Sequence, residues 1–207
     1  MDLTTAASPS ASTTAAAPLK VAVILASNRE GRFAPVVSGW FLAHTAERPD
    51  IETDLLDVAE LDLPTALSFR PDDEARSRLD AVSARLAAAD AFVVVTPEYN
   101  HSYPAPLKNL IDWYRDEWQA KPVAFVAYGG ISGGLRAVEH LRQVFAELRT
   151  VGIRETVAFP YAGALFDDEG RHRDPSACDA AAKSLLDQLV WWGRALRDAK
   201  AVRPYGA

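Results

Sequence analysis

Short strand-like runs alternate five times with amphipathic stretches along this chain. Most of the runs are continuously apolar and rich in β-branched residues, which is typical of strands that are buried on both faces of a sheet. The predicted strands are Leu19–Ala26, Glu52–Val58, Ala91–Thr96, Lys121–Tyr128 and Arg154–Phe159. Such regular alternation leaves few architectures open, because successive parallel strands need a helical crossover between them.

The stretches between the runs carry apolar residues at helical spacing. They predict helices over Phe33–Glu47, Asp72–Ala89, Ala105–Glu117 and Leu135–Val151, and a final helix that follows the loop Asp167–Pro175 and ends near Ala199. Gly152 is the expected stop of the fourth helix.

Right-handed crossovers then give a parallel sheet with helices on both faces. The predicted fold is α/β, a flavodoxin-like doubly wound five-stranded parallel sheet in the order 2-1-3-4-5, with a ligand crevice between the first and third strands. A Rossmann dehydrogenase is the competing layout. It is disfavoured because the first loop, A-S-N-R-E-G-R-F, lacks G-x-G-x-x-G.

The composition of the chain limits which partners it is expected to bind and which cellular compartment it is expected to occupy. With 207 residues the chain predicts one domain over 19–207, after a flexible tail at 1–18 made mainly of Ala, Ser, Thr and Pro. A net charge of −6 argues against a nucleic-acid partner, and no apolar run approaches the ~20 residues of a membrane span. The only cysteine, Cys178, lies beside acidic residues, which indicates an unreactive thiol and a cytoplasmic protein.

Three loops should open on the same edge of this sheet, and the first is suited to a phosphate. Ser27–Arg32 offers a hydroxyl, the guanidinium groups of Arg29 and Arg32, and the N-terminus of a helix. The alternative is a helix cap followed by solvated arginines.

The second and third loops are suited to a planar ring. Pro97–Tyr103 brings Tyr99, Asn100 and backbone N–H groups to a ring edge, although an ordinary turn with a left-handed Asn100 would look the same. Glu98 can be read as a solvated carboxylate, one that orients backbone, or a catalytic acid. The third loop has four glycines in six positions, with Ser132 as a candidate N-cap and Arg136 one turn on; a glycine-rich cap without a ligand is the alternative.

Taken together, the three loops predict a bound mononucleotide with a flat head, as FMN has. The sequence contains no G-x-S-x-G elbow and no H-E-x-x-H, and its four histidines lack the spacing of metal ligands. We therefore predict neither a metal site nor a catalytic side chain.

The motif P-E-Y-N-H-S-Y-P-A-P-L-K-N-L-I-D-W resembles the flavin-ring motif of the NAD(P)H-dependent FMN reductases, a family that includes quinone, azo-dye and chromate reductases. S-N-R-E-G-R is similar to the phosphate loop of that family, except that Ala26 precedes it where many members have Gly. The likeness extends over residues 19–199. It implies cofactor contacts from the phosphate loop at Ser27, Arg29, Arg32 and Phe33, from the ring motif at Pro97, Glu98, Tyr99 and Asn100, and from the third loop at Gly129, Gly130 and Ser132.

The resemblance also implies an activity. Bound FMN would take hydride at N5 from NADPH or NADH, and in a ping-pong sequence would then reduce a quinone-like or other small acceptor. Three alternatives stay open: an electron carrier, a redox-responsive binding module, and a reductase that releases reduced FMN to a monooxygenase. The family is typically dimeric or tetrameric, and the aromatic stripe Trp113–Trp118 could anchor a subunit interface or else form the edge of the core.

Overall fold

Residues 17–206 are described by a computed structural model, which contains one five-stranded parallel sheet. Its spatial order is β2-β1-β3-β4-β5, as predicted. The strands are β1 Leu19–Leu25, β2 Ile51–Asp57, β3 Ala91–Pro97, β4 Pro122–Gly129 and β5 Val151–Pro160. The predicted flexible tail lies outside the described residues except for its last two positions.

Helices cover both faces of the sheet. They are α1 Ala34–Ala46, α2 Asp73–Ala88, α3 Ala105–Trp113, α4 Leu135–Glu147, the single turn α5 Ala162–Leu165, and α6 Ser176–Val202. One apolar cluster lies between the sheet and α1 and α6, and a second lies between the sheet and α2, α3 and α4. Every residue of β3 is buried, because this strand is central and covered from both sides. Between residues 17 and 206, no helix has both the length and the apolar content needed to cross a membrane.

The register of the sheet brings the three predicted loops to one edge. Near the ends of the strands, Leu25 of β1 pairs with Val95 of β3, which in turn pairs with Val126 of β4. Because the three strands are parallel neighbours, the loops that follow them begin side by side. This edge is where ligands bind in open α/β sheets.

The third helix is shorter than predicted, and the interpretation of its aromatic stripe as an interface anchor is wrong. The helix ends at Trp113, and a short 3₁₀ turn folds Trp118 back into the core. Trp118 is wholly buried, and its indole N–H bonds the carbonyl of Tyr114 at 3.0 Å. Trp113 donates to the carbonyl of Pro64 at 2.8 Å. The stripe therefore belongs to the core edge.

The end of the fourth helix was also predicted incorrectly. The helix ends at Glu147, and Arg149 takes the left-handed conformation (φ 60°) that was expected of Gly152. This lets the N–H of Thr150 reach back to the carbonyl of Phe145 at 3.0 Å. Gly152 instead lies within β5, which begins at Val151, earlier than predicted. At the other end of the chain, α6 continues past the predicted Ala199 to Val202.

The left-handed Arg149 gives a test of this helix end. Arg149→Gly should raise the free energy of unfolding by about 1 kcal/mol, or ~2–4 °C in Tm, because glycine takes a positive φ without strain. Glu139→Gly, at an exposed position inside α4, is the matched control and should lower it by about 1 kcal/mol. Thermal and urea unfolding measure both. A destabilised Arg149→Gly would contradict the geometry.

Candidate functional site

The first loop is fixed at Ser27, which is wholly buried at the end of β1. Its hydroxyl lies 2.7 Å from the phenol oxygen of Tyr99 in the second loop and accepts the N–H of Arg29 at 3.3 Å. The carbonyl of Ser27 accepts a guanidinium N–H of Arg32 at 2.6 Å. The hydroxyl thus joins the first loop to the second.

The two arginines of this loop have different roles in the structure. Arg32 makes a two-pronged ion pair with Asp57, whose carboxylate is 9% exposed at the end of β2. The hydrogen bonds that Arg32 donates to Asp57 raise the pKa of Arg32 above its usual value, against the opposite effect of burial. Arg29 is exposed, and its side chain makes no hydrogen bond or ion pair within residues 17–206. Arg32 is therefore a fixed positive charge, whereas Arg29 is available to bind an anion.

The start of α1 lies beside these charges, and most N–H groups of its first turn are not available to a ligand. The residue before the helix, Phe33, gives no side-chain cap, and Pro35 occupies the first turn. Pro35 has no N–H, and the N–H groups of Val36 and Val37 bond the carbonyl of Phe33 at 3.2 and 3.4 Å, so it is the helix dipole that favours a negative group at this end. The ring of Phe33 packs near those of Tyr128, at 6.2 Å between centroids, and Phe166, at 5.7 Å.

A tight turn forms the second loop. Tyr99 and Ser102 exchange backbone hydrogen bonds at 2.8 and 3.0 Å, and between them Asn100 and His101 both have positive φ, 50° and 67°. Two left-handed residues in succession define a type I′ turn, a conformation that favours glycine and asparagine. Within the described chain the N–H groups of Asn100 and His101 make no hydrogen bond to protein, so they can donate to a ligand.

Glu98 connects the second loop to the third. Its carboxylate, only 7% exposed, accepts the Ser132 hydroxyl at 2.6 Å, and the backbone N–H and guanidinium of Arg136 at 3.1 and 2.8 Å. Burial disfavours the charged form of Glu98, but these hydrogen bonds outweigh it and lower its pKa below the usual value. Of the interpretations considered, the orienting carboxylate fits this geometry. Ser132 is not the N-cap; Gly134 occupies that position, and Glu98 satisfies a first-turn N–H of α4.

The third loop packs tightly against the end of β5. A Cβ at Gly133 would lie 2.9 Å from the Pro160 nitrogen, and Gly133 itself has φ 62°. A Cβ at Gly130 would meet no protein atom within 4 Å, and no positive φ requires glycine there. The carbonyl of Gly130 accepts the N–H of Tyr161 at 3.0 Å. Internal packing thus explains Gly133 but not Gly130.

Tyr161 is a site-edge residue that the sequence analysis missed. It directly follows β5, its side chain is 60% exposed, and it is held at φ 50°. The available signal was an aromatic residue immediately after a strand, in F-P-Y-A-G-A. The same edge therefore carries a fourth contributing segment.

One buried polar atom beside the first loop has no partner in the described protein. The hydroxyl of Tyr128, at the end of β4, is inaccessible and makes no hydrogen bond. Burial raises its pKa, the neighbouring Tyr99 raises it further, and Arg32 opposes the rise. An unsatisfied buried hydroxyl costs about 1–3 kcal/mol, so it marks a place where a ligand or water belongs. Together with the free Arg29 and the open Gly130, this fits a phosphorylated, flat ligand such as FMN.

Comparisons with known proteins agree with this geometry. Residues 19–164 match the family model described as NADPH-dependent FMN reductase. The chain is 34% identical to an NAD(P)H-dependent FMN reductase of Schizosaccharomyces pombe, over 56% of this chain and 60% of that protein. It is 33% identical to one of Pseudomonas aeruginosa, over 72% and 82%. It is 35% identical to an NADPH:quinone oxidoreductase of Arabidopsis thaliana, over 54% and 58%. The chain thus spans less than two thirds of the first and third of these relatives.

Solved structures share the fold. FerB, a flavoenzyme NAD(P)H:(acceptor) oxidoreductase from Paracoccus denitrificans, superposes with a TM-score of 0.68 at 24% identity, covering 85% of this chain and 97% of FerB. An oxidoreductase from Corynebacterium diphtheriae gives 0.65 at 22% identity, covering 86% and 97%. The predicted resemblance and the predicted fold are both confirmed.

The Arg32–Asp57 pair predicts a contrast between two aspartates of β2. Asp57→Asn leaves the half-buried Arg32 without its counter-charge and should lower the free energy of unfolding by about 2 kcal/mol. Asp54→Asn breaks a similar two-pronged pair with Arg85, but Asp54 is 47% exposed, so about 0.5 kcal/mol is expected. Urea unfolding distinguishes them. Equal losses would mean that Arg32 does not depend on Asp57.

Proposed function

The chain belongs to the NADPH-dependent FMN reductase family, and from that membership we propose that it binds FMN and passes two electrons from NADPH or NADH to a quinone-like acceptor. The observation that carries the proposal is the joining of three loops at one sheet edge. The Ser27–Tyr99 and Glu98–Ser132 hydrogen bonds link these loops, beside Arg29, whose side chain has no partner among residues 17–206.

At the phosphate end, Arg29 binds the phosphate directly, and the dipole at the start of α1 assists it. Arg32 stays with Asp57 and contributes charge at a distance. Phe33 lies against the ribityl chain.

At the ring end, the loop residues divide into two groups. Asn100 donates its free N–H to the polar edge of the ring, and Gly130 lets the ring approach the backbone closely. Pro97, Tyr99 and Gly129 border the ring. Glu98 and Ser132 hold each other and act as positioning residues, since their polar atoms are already bonded to protein.

FMN, when bound, supplies the chemistry, taking a hydride from the nicotinamide and giving two electrons to the acceptor. The chain binds and orients both substrates in turn, which is a ping-pong sequence at one open ring face. Its N–H groups stabilise the negative charge that develops at the ring edge. Glu98 does not serve as a proton donor at neutral pH, because its lowered pKa keeps it ionised.

We also infer a homodimer or homotetramer and a cytoplasmic location. The location rests on the single cysteine of the sequence. The assembly is supported by apolar side chains that no part of the described chain covers: Leu67 is 58% exposed, and Phe69 is fully exposed. They belong to the β2–α2 loop, whose Leu61, Leu63 and Leu67 line a cavity of about 690 Å³ against α3. Light scattering tests the assembly, and a monomer at every concentration would refute it.

A spectrum and two additions test the proposed reaction. The purified chain, reconstituted with FMN and desalted, should keep a flavin absorption band. Anaerobic NADPH or NADH should bleach the band within seconds, and a naphthoquinone should restore it. A flavin band that neither nicotinamide bleaches would favour an electron carrier or a binding module. Loss of the flavin on desalting would favour release of reduced FMN to another enzyme.

The role of Arg29 has its own test. Arg29→Ala should weaken FMN binding by about 10–100-fold, because a charge-assisted hydrogen bond to phosphate is lost, and should leave riboflavin binding unchanged. Arg154→Ala, at a 93% exposed arginine of β5, is the control and should change neither. Fluorescence titration measures both ligands. An Arg29→Ala chain that binds FMN normally would contradict the assignment.

A further inference from the structure

Three large and mainly apolar side chains lie in solvent around the third loop and the end of β5, at the edge that carries the proposed flavin site. Ile131 of the third loop is 72% exposed, Leu135 at the start of α4 is 49% exposed, and Tyr161 is 60% exposed. Their backbones are held together, because the Tyr161 N–H bonds the Gly130 carbonyl and Gly133 abuts Pro160. We call these three residues the β5 patch.

The position of Tyr161 is rigid, and the protein bears a cost to keep it there. A tyrosine at φ 50° is strained, whereas asparagine or glycine adopts this conformation more easily. Its carbonyl accepts the N–H of Ala164 at 2.8 Å, so it is fixed on both sides, by the third loop and by α5. Packing explains poorly why an exposed tyrosine stands at a position whose backbone is strained and anchored on both sides, since most of its surface contacts no part of the described protein.

From this geometry we propose that Tyr161, with Ile131 beside it, binds the electron acceptor, and that the acceptor is an uncharged planar ring of the quinone class. The proposal rests on the proposed function, because it requires flavin at the adjoining loop. The patch carries no charge, and Arg136, which follows Leu135, is neutralised by Glu98. Such a surface attracts a flat apolar ring. It offers no counter-charge to the phosphates of NADPH.

The test replaces the ring of Tyr161 without adding backbone strain. Tyr161→Asn suits a positive φ, and Tyr161→Phe keeps the ring while removing the hydroxyl. Tyr205→Asn is the matched control. Tyr205 is also a half-exposed tyrosine, but it borders a cavity beside Lys121, at the opposite edge of the sheet. Steady-state kinetics use the FMN-loaded chain with NADPH, and either 1,4-naphthoquinone or the charged acceptor hexacyanoferrate(III).

Tyr161→Asn should raise the KM for naphthoquinone about tenfold, equivalent to ~1.4 kcal/mol of lost binding. The KM for hexacyanoferrate(III), the affinity for FMN and the rate of bleaching by NADPH should stay within about twofold. Tyr161→Phe and Tyr205→Asn should match the unmodified chain in every measurement. This pattern separates loss of an acceptor contact from a general structural defect.

Several results would overturn the proposal. An unchanged naphthoquinone KM in Tyr161→Asn would show that the ring does not touch the acceptor. Weaker FMN binding would show that Tyr161 contacts the cofactor instead. A raised KM for NADPH would show that it contacts the nicotinamide, and a changed molecular mass would show that it lies in a subunit contact. An equal rise in the naphthoquinone KM of Tyr161→Phe would show that the tyrosine hydroxyl, and not stacking on the ring, binds the acceptor. A wild-type chain that holds no flavin would instead refute the proposed function, and this inference with it.

Discussion

The candidate functional site depends on the parallel pairing of β1, β3 and β4, because this pairing sets where the three loops begin. Because these strands are neighbours in register, three loops that are distant in sequence start side by side. Hydrogen bonds between side chains can then link these loops. The buried hydroxyl of Ser27 lies 2.7 Å from the phenol oxygen of Tyr99, and the carboxylate of Glu98 accepts the hydroxyl of Ser132 at 2.6 Å. Neither bond would form if the order of the strands were different. The sheet is therefore the scaffold on which the ligand-binding loops are held.

The polar groups at this edge are of two kinds: some are hydrogen-bonded within the protein, and others have no partner in the described chain. Asp57, Glu98, Ser132 and the hydroxyl of Ser27 are bonded within the protein, which fixes the loops before any ligand arrives. Arg29, the N–H groups of Asn100 and His101, and the hydroxyl of Tyr128 have no partner in the described chain. Binding groups that are already held in place by a rigid support lose little conformational entropy when a ligand binds. The free groups are therefore the ones to which we assign the proposed FMN, with its phosphate at one end and its flat ring at the other.

Local patterns were enough to predict the sheet and the edge at which the three loops meet. The apolar runs, their helical spacers and the turn residues after Val95 are readable within windows of a few residues. The pairs Arg32–Asp57 and Glu98–Ser132 were missed, because their members are 25 and 34 residues apart and meet only through the fold. The helix ends failed for a similar reason. Arg149 takes a conformation expected of glycine, and Trp118 leaves the helical line to fill the core.

The central claim is that three linked loops grip a mononucleotide through its phosphate and its ring together. Titration of the purified chain with FMN and with riboflavin, followed by quenching of flavin fluorescence, tests it most directly. We expect one FMN per chain, bound about 100-fold more tightly than riboflavin, because only FMN engages Arg29 and the start of α1. Equal affinity for the two flavins, or no quenching by either, would contradict the account.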